Sequence, residues 1–245
     1  AGIKEDLLPP WEEFRARCKE GFQNGELKLA PPAGTLGKGQ SRFRYPSGVR
    51  HFQYDVANGI DASDTESLTA GEVICHQRID RIYRFLRDNF DAYRDCVVID
   101  VASHLGVRES RRIRGLATLT EDMVLGGVKH ADGISRCSWY MDLHDGQNKF
   151  PLEEYRAARR PPDGDYYEIP YGCIVPQEIL GLLVAGRCIS STRPANGSLR
   201  LQPTCMNLGQ AAGTAAAVAI ETKVQPADID AVELRALLQK QGMEI

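Results

Sequence analysis

The feature that most limits the architecture of this chain is an apolar run that stops at a glycine, followed by a helix of small residues. Residues 179–187, ILGLLVAGR, have the composition of a short strand that is buried on both faces of a parallel sheet. After a polar loop, residues 203–220 are rich in glycine and alanine, with Gly209, Gly213 and Ala217 at helical spacing. A neighbouring backbone can approach closely along such a stripe. The order strand, loop, helix predicts an α/β fold.

Helical periodicity recurs in three other places. Residues 65–90 carry apolar side chains at helical spacing, and Thr69 with Glu72 predicts a capping box near the start. Thr120 has the residue type that caps a helix, and it precedes two acidic residues that suit a first turn. A final amphipathic helix is predicted from the leucine and valine spacing in residues 232–238.

Strands are predicted in the shorter apolar and alternating runs. Residues 96–101, CVVIDV, have the pattern of a buried strand, and residues 169–175 form a second candidate. Residues 1–64 contain many prolines and glycines, which favours short strands and turns over long helices. Within that region, residues 42–45 and 53–56 are the two strand candidates.

Composition argues against several classes of protein. The 245 residues have a formal net charge of −3, whereas a nucleic-acid-binding domain is usually basic. No stretch approaches the ~20 apolar residues that span a bilayer, and no signal peptide is visible at the start, so no membrane partner is expected. The seven cysteines are odd in number and lack a CxxC pair, and the five histidines are scattered. We therefore expect free thiols, no metal site and a cytoplasmic location.

The start of the small-residue helix is a candidate ligand site. The first amide groups of a helix lack internal partners and carry the positive end of its dipole, so an anion or an electron-rich ligand edge suits that position. Pro203 fits an early helical position because it has no N–H group to leave unpaired. Cys205, in the same turn, is expected to be acidified if it is exposed. The alternative is a plain helix packed on a sheet.

A second candidate site is an arginine cluster that spans seven residues. In a strand, Arg112 and Arg114 share one face and Arg111 takes the other, whereas in a helix Arg108, Arg111 and Arg112 share a face. Either arrangement can present a bidentate fork to a carboxylate or a phosphate. The alternative is a set of internal salt bridges to nearby acidic residues.

Candidate acid–base chemistry lies in the sequence Asp142-Leu143-His144-Asp145. In a strand, Asp142 and His144 project to the same side, so the carboxylate can orient the imidazole for proton abstraction. The alternative is a structural, hydrogen-bonded histidine. His104 is a second candidate, and Tyr171 is expected to line a pocket, although tyrosines in strands more often pack.

Several sequence blocks together resemble one known family. Residues 182–219, LLVAGRCISSTRPANGSLRLQPTCMNLGQAAGTAAAVA, are similar to the carboxyl-terminal flavin-binding signature of the FAD-dependent oxidoreductase family. The blocks GVRESRRIRG (106–115), LTEDMVLGG (119–127), MDLHD (141–145) and YEIPYGCIVP (167–176) match the same family in the same order. That family has the glutathione-reductase-like flavoprotein fold and is distantly related to the fumarate reductase flavoproteins.

The resemblance implies a domain organisation and a set of roles. It implies an α+β substrate-binding domain in residues 1–175 and, in residues 176–245, the C-terminal strand and helices of a Rossmann-like FAD domain. It implies FAD as cofactor and hydride transfer to or from a small polar substrate. The cofactor-binding residues that it implies are Gly186, Arg187, Pro203, Thr204, Cys205, Met206 and Gly209. The catalytic candidates are His144, Asp142 and Arg111, and the substrate-binding candidates are Arg108, Arg112, His104, Arg193 and Tyr171.

Two departures and one missing motif qualify these expectations. Relatives often have Thr-His-Glu-Ala where this chain has residues 192–195, TRPA, and Ile-Pro-Tyr-Arg where it has residues 169–172, IPYG. A different substrate or a lost activity would follow if the replaced residues handle substrate. No GxGxxG turn occurs in the 245 residues, so either a separate polypeptide carries this half of the FAD domain or the chain is a fragment, and we predict the separate polypeptide. The alternative is a non-catalytic subunit or interaction module that binds no flavin.

Overall fold

The structure, a computed structural model, divides into two compact units, Ala1–Val107 and Arg108–Ile245, and each is described by itself. It describes residues 1–27, 46–51, 59–143 and 152–245. The strands predicted at residues 42–45 and 53–56 lie outside these ranges. The functional division at residue 175 stays a prediction, because it concerns which part of the chain meets substrate and which meets cofactor.

The first unit is built on two helices, α1 (Trp11–Gln23) and α2 (Thr65–Asn89). Helix α1 corrects the expectation that residues 1–64 contain no long helix. Its Phe14, Cys18 and Gly21 are buried at helical spacing, so the period of the apolar residues decides the structure despite the surrounding prolines and glycines. The core of this unit also contains Ile82, Phe85, Leu86, Phe90 and Tyr93.

Helix α2 confirms the helix predicted at residues 65–90 but begins differently. The carboxylate of Asp64 accepts a hydrogen bond of 2.8 Å from the Ser67 N–H group, so Asp64 is the capping residue. The predicted capping box at Thr69 and Glu72 is wrong, because Thr69 already lies inside the helix and donates to the Thr65 carbonyl. An N-cap one turn earlier takes its place.

The strand predicted at residues 96–101 does not form. Val97, Val98 and Ile99 are 53%, 50% and 66% exposed, and no strand in the described part of the chain pairs with them. An apolar run becomes a buried strand only if neighbouring strands cover it, and sequence periodicity does not reveal whether those neighbours exist.

The second unit contains a two-stranded antiparallel sheet of β1 (Gly133–Cys137) and β2 (Tyr167–Pro170). Cys137 lies opposite Tyr167, and the register shifts between Gly133 and Ser135. The strand predicted at residues 169–175 is therefore correct only in part. Strand β2 begins two residues earlier and gives way after Pro170 to a single turn of 3-10 helix, Tyr171–Ile174.

The described residues of the second unit also form five α-helices. Thr120 caps the first of them as predicted, since its hydroxyl accepts from the Met123 N–H group at 3.4 Å. Another lies within residues 190–200, which were expected to be a polar loop, because Thr192 supplies a cap and Pro194 fits an early helical position. The helices are α3 (Glu121–Leu125), α4 (Leu152–Ala157), α5 (Arg193–Leu199), α6 (Gln202–Thr222) and α7 (Ala231–Lys240).

Helix α6 has one buried side and one open side. Its buried residues are Thr204, Leu208, Ala211, Ala215 and Ala219, which belong to the side that packs on β1. On the open side, Met206 and Ile220 are 73% and 77% exposed. Gly209 and Gly213 are also exposed, and no described atom lies within 4 Å of the position that a Cβ would take at either. The small-residue stripe is therefore uncovered in the described structure.

The apolar run at residues 179–187 forms no strand with the described residues, which corrects the central prediction of the sequence. Ile179 and Leu180 are 57% and 78% exposed, although the Val184 N–H group donates to the Ile174 carbonyl. A parallel strand needs partners on its edges, and the described part of the chain offers none.

The mixture of helices with one small sheet in the described residues is consistent with the α/β or α+β class. Within the described ranges, no helix has both the length and the hydropathy to cross a bilayer.

Candidate functional site

Three backbone segments of the second unit are hydrogen-bonded into one scaffold. Residues 113–119 donate to residues 172–175 and 188–190, for example from Ile113 N–H to the Cys188 carbonyl at 2.9 Å. Gly115 is required here, because a Cβ would lie 2.6 Å from the Gly172 carbonyl oxygen. The scaffold fixes the chain on both sides of the loop that was predicted to meet the cofactor.

An open cavity of about 430 Å³ lies on this scaffold. Its wall combines two arginines with hydroxyl and amide groups, and no carboxylate lines it in the described structure. The lining residues are Arg112, Ile113, Arg114, Gly115, Thr118, Gln177, Ser190 and Ser191. Arg112 is one of the predicted substrate-binding arginines, and its role stays a prediction.

A second cluster, which we name the arginine–carboxylate cluster, consists of Arg108, Glu109, Asp142, Arg193 and Arg200. Arg193 Nε lies 3.0 Å from Glu109 Oε1, and Arg108 Nη1 lies 3.4 Å from Asp142 Oδ2. Arg200 links the two halves, because its Nη2 donates to the Asp142 carbonyl at 2.5 Å and its Nη1 lies 4.0 Å from Glu109 Oε2. The cluster brings together three residues that were predicted separately, Arg108, Asp142 and Arg193.

Arg200 is the buried centre of this cluster, with a side chain only 8% exposed. Burial lowers the pKa of its guanidinium, and the nearby positive charge of Arg108 acts in the same direction. The sequence analysis missed this residue. Its signal in the sequence is a single charged residue between Leu199 and Leu201.

The remaining predicted polar residues are dispersed. Arg111 is exposed and is not part of the cluster defined above. His104 is exposed in the first unit. His144 lies outside the described residues, so its predicted pairing with Asp142 stays a prediction. The segment that carries Arg108 and Arg111 is neither strand nor helix, so neither arrangement proposed for the arginines forms.

Tyr171, predicted to line a substrate pocket, has a structural position instead. Its side chain is only 4% exposed, and its hydroxyl donates to the Pro226 carbonyl at 2.8 Å. Burial raises its pKa to about 12. The residue packs in the core because the 3-10 turn after β2 directs it inward rather than along the strand face that the sequence predicts.

The start of α6 was predicted to face a ligand, and that role stays a prediction. No side chain caps this end, and Pro203 occupies its first turn. Pro203 and Met206 are exposed, whereas Thr204 is only 3% exposed and lies on the core side. Of the four first-turn residues predicted to face a ligand, Thr204 is therefore directed to the core. The helical period separates it from the other residues.

The thiol of Cys205 is not acidified in this environment. The residue is half-buried, and burial raises its pKa even though the positive charge of Arg187 opposes the shift. The prediction of a low pKa depended on exposure. The weak contact from its sulfur to the Leu199 carbonyl, at 3.9 Å, adds no positive partner.

The loop before α5 also keeps an open backbone. Gly186 has a φ of +90°, and no described atom lies within 4 Å of the place that its Cβ would take. The Asn196 side-chain amide donates to the Arg187 carbonyl at 2.8 Å, which holds the loop against α5. The positive charge of Arg187 acts on the Cys205 thiol, so this loop is within electrostatic range of the first turn of α6.

Comparison with known proteins gives one result. The model of the family described as FAD dependent oxidoreductase matches residues 6–238. No match was found among curated proteins or among solved structures. The family match covers nearly the whole chain and includes both the cavity and the start of α6. The chain therefore belongs to the FAD dependent oxidoreductase family, whose cofactor is FAD.

Proposed function

We propose that this chain forms the substrate side and the C-terminal part of a Rossmann-like FAD domain in a flavin-dependent oxidoreductase. The reaction would be hydride transfer between a small polar substrate and FAD. The observation that carries the proposal is the uncapped start of α6 beside the loop at Gly186 and Arg187. Free amide groups and the positive end of a helix dipole at one point favour an electron-rich ligand edge.

The described residues fit FAD at this point. Gly186 and Gly209 leave room for a ligand, and the exposed Pro203 and Met206 can contact a ring system. A flavin collects negative charge along its N1 and C2-carbonyl edge, which suits the start of α6. Arg187, Cys205 and the core-directed Thr204 complete the set of proposed cofactor-binding residues. FAD, when bound, supplies the hydride-accepting or hydride-donating chemistry.

The polar residues are assigned to substrate. Arg108, Arg112 and Arg193, with His104 as a further candidate, would hold it by charge-assisted hydrogen bonds. His144, oriented by Asp142, would take a hydroxyl or amine proton during oxidation, while Arg111 would stabilise developing charge. Arg193 already pairs with Glu109, so its substrate role requires its guanidinium to bind Glu109 and the ligand together.

The histidine assignment has a direct test. His144→Gln removes the base and should slow flavin reduction by substrate, measured by anaerobic stopped-flow absorbance, by about 100-fold or more. His76→Gln, an exposed histidine on α2, is the matched control and should leave the rate unchanged. An unchanged rate in His144→Gln would remove this residue from the catalytic set.

We further propose that a second polypeptide with a GxGxxG turn completes the FAD site. Five exposed apolar residues of the second unit support this, because exposed apolar patches commonly mark interfaces. They are Ile179, Leu180, Leu182, Met206 and Ile220.

We propose that the assembly is located in the cytoplasm, because the seven cysteines are odd in number and lack a CxxC pair. Cell fractionation would test this location.

Co-purification tests the partner. Tagged chain is expressed in its native host, and native mass spectrometry of the eluate should show a complex with a GxGxxG-bearing protein and one FAD. A longer single polypeptide containing both halves, or a stable and soluble lone monomer, would contradict the separate partner. A colourless complex that releases no flavin on denaturation would instead support the non-catalytic alternative.

A further inference from the structure

We propose that the cavity on the scaffold binds an oxyanion, the carboxylate or phosphate group of the substrate, through Arg112 and Arg114. This inference deepens the proposed function, on which its catalytic meaning rests, by naming the substrate class. The cavity of about 430 Å³ is within the usual range for small-ligand sites, about 300–1,000 Å³.

The charge of the cavity is the first argument. Arg112 and Arg114 both line it, and neither forms an ion pair with a residue in the described ranges. The arginines of the neighbouring arginine–carboxylate cluster differ, since Arg193 and Arg200 both lie beside Glu109. Two arginines that line one cavity favour an oxyanion, because the planar fork of a guanidinium matches its oxygen atoms.

The uncharged polar residues that line the cavity are the second argument. Ser191 is only 8% exposed, and its hydroxyl is buried without a hydrogen-bond partner in the described structure. A buried hydroxyl in that state costs free energy that a ligand acceptor would recover. Beside it, the hydroxyls of Thr118 and Ser190 are bonded to each other at 2.9 Å, and this bond uses one of their two O–H groups.

The backbone around the arginines is the third argument. Ile113, between the two arginines, donates to the Cys188 carbonyl, and the Arg114 carbonyl accepts from the Gln177 N–H group at 2.9 Å. The Gln177 side chain also donates to the Gly115 carbonyl at 2.7 Å. These bonds on both sides of the cavity fix the positions from which both guanidinium groups extend, which lowers the cost of ordering them around a ligand.

The test measures anion binding to the flavin-free chain, or to its complex after flavin removal, by isothermal titration at low ionic strength. The probes are succinate, inorganic phosphate and, as a non-oxyanion control, chloride. Saturable binding of succinate or phosphate is expected, and the tighter of the two identifies the group on the substrate. Arg112→Gln and Arg114→Gln should each weaken that binding about 10-fold.

A matched control separates site binding from general charge effects. Arg84→Gln removes one positive charge from an exposed position on α2, where the side chain is 73% exposed, and should leave the affinity unchanged. Ser191→Ala should weaken binding by a smaller factor, with the thermal midpoint confirming that each variant folds. Absence of saturable binding, equal binding of chloride, or equal loss in Arg84→Gln would overturn the proposal. Flavin is not needed in this assay, so its result is independent of whether the assembly proves to be a flavoenzyme.

Discussion

Arg235 on α7 closes a two-pronged salt bridge on the buried Glu168 of strand β2. Arg235 Nη2 lies 2.8 Å from Glu168 Oε1, and its Nη1 lies 3.0 Å from Oε2. The His130 N–H group donates to the same Oε2 at 2.8 Å, and Arg235 Nη1 also donates to the Gly133 carbonyl. The Glu168 side chain is only 2% exposed. This pair ties the last helix to the sheet on which α6 packs.

Breaking this pair should destabilise the second unit. Arg235→Met leaves a buried carboxylate without its counter-charge, which costs about 3–5 kcal/mol. The measurement is urea unfolding followed by Trp139 fluorescence in a Trp11→Phe background, since the two tryptophans fall in different units. Lys240→Met, an exposed charge on the same helix, is the control and should cost less than about 0.5 kcal/mol. Equal effects of the two variants would show that the pair contributes little.

The same carboxylate predicts an acid-sensitive stability. Burial alone would raise the pKa of Glu168, but the hydrogen bonds from Arg235 and His130 outweigh it and hold the pKa below the ordinary 4.5. A carboxylate with a lowered folded-state pKa contributes stability above its unfolded pKa, and that contribution is lost as the pH falls through the folded value.

Unfolding free energies from about pH 7 to about pH 3 test this sign. The wild type should lose stability more steeply below pH 4.5 than Glu168→Gln, because the amide does not titrate. Parallel pH profiles for the two proteins would contradict the predicted linkage.

The limits of sequence reasoning follow from particular residues. Helices α2, α6 and α7 were predictable because their buried side recurs with the helical period, which is a local property. Residues 96–101 and 179–187 have strand-like composition but form no strand with the described residues, because strand formation depends on neighbours that local sequence does not specify. The short helix α5 was missed because the segment around its cap, Thr192, is polar and was therefore expected to be a loop.

The candidate site was predictable in residue type rather than in geometry. The sequence indicates an arginine-rich segment, and the structure divides it between the cavity, with Arg112 and Arg114, and the arginine–carboxylate cluster, with Arg108. Nothing local links residue 109 to residues 193 and 200, since these contacts arise only from the tertiary fold. The orphaned hydroxyl of Ser191 is likewise visible only once burial is known.

Thiol chemistry provides a further prediction. Cys188 is exposed, whereas Cys205 is half-buried and has a raised pKa, so less of the Cys205 thiol is in the reactive thiolate form than at the ordinary pKa of a cysteine. At neutral pH, iodoacetamide should modify Cys188 before Cys205, as followed by peptide mass spectrometry. Cys188→Ser should remove the fast phase. Faster modification of Cys205 would restore the acidified thiol that the sequence predicts.

The proposed cofactor role of the open side of α6 can be tested by adding a large side chain there. Gly209→Leu should fold with an unchanged or higher thermal midpoint, because the position is open and glycine is a poor helix former by about 1 kcal/mol. It should nevertheless lower the FAD retained per assembly, since the added side chain would occupy the space assigned to cofactor or partner. Ala70→Leu, on the exposed side of α2, is the matched control and should retain FAD normally. Full FAD retention by Gly209→Leu would remove this face from the cofactor site.

The most direct test of whether this chain is part of a working flavoenzyme is the flavin content of the assembly purified from its native host. The assembly is denatured, the released chromophore is separated by chromatography, and both supernatant and protein pellet are assayed, so that covalent flavin is also detected. We expect close to one FAD per copy of this chain. An assembly whose supernatant and pellet both lack flavin would contradict the account.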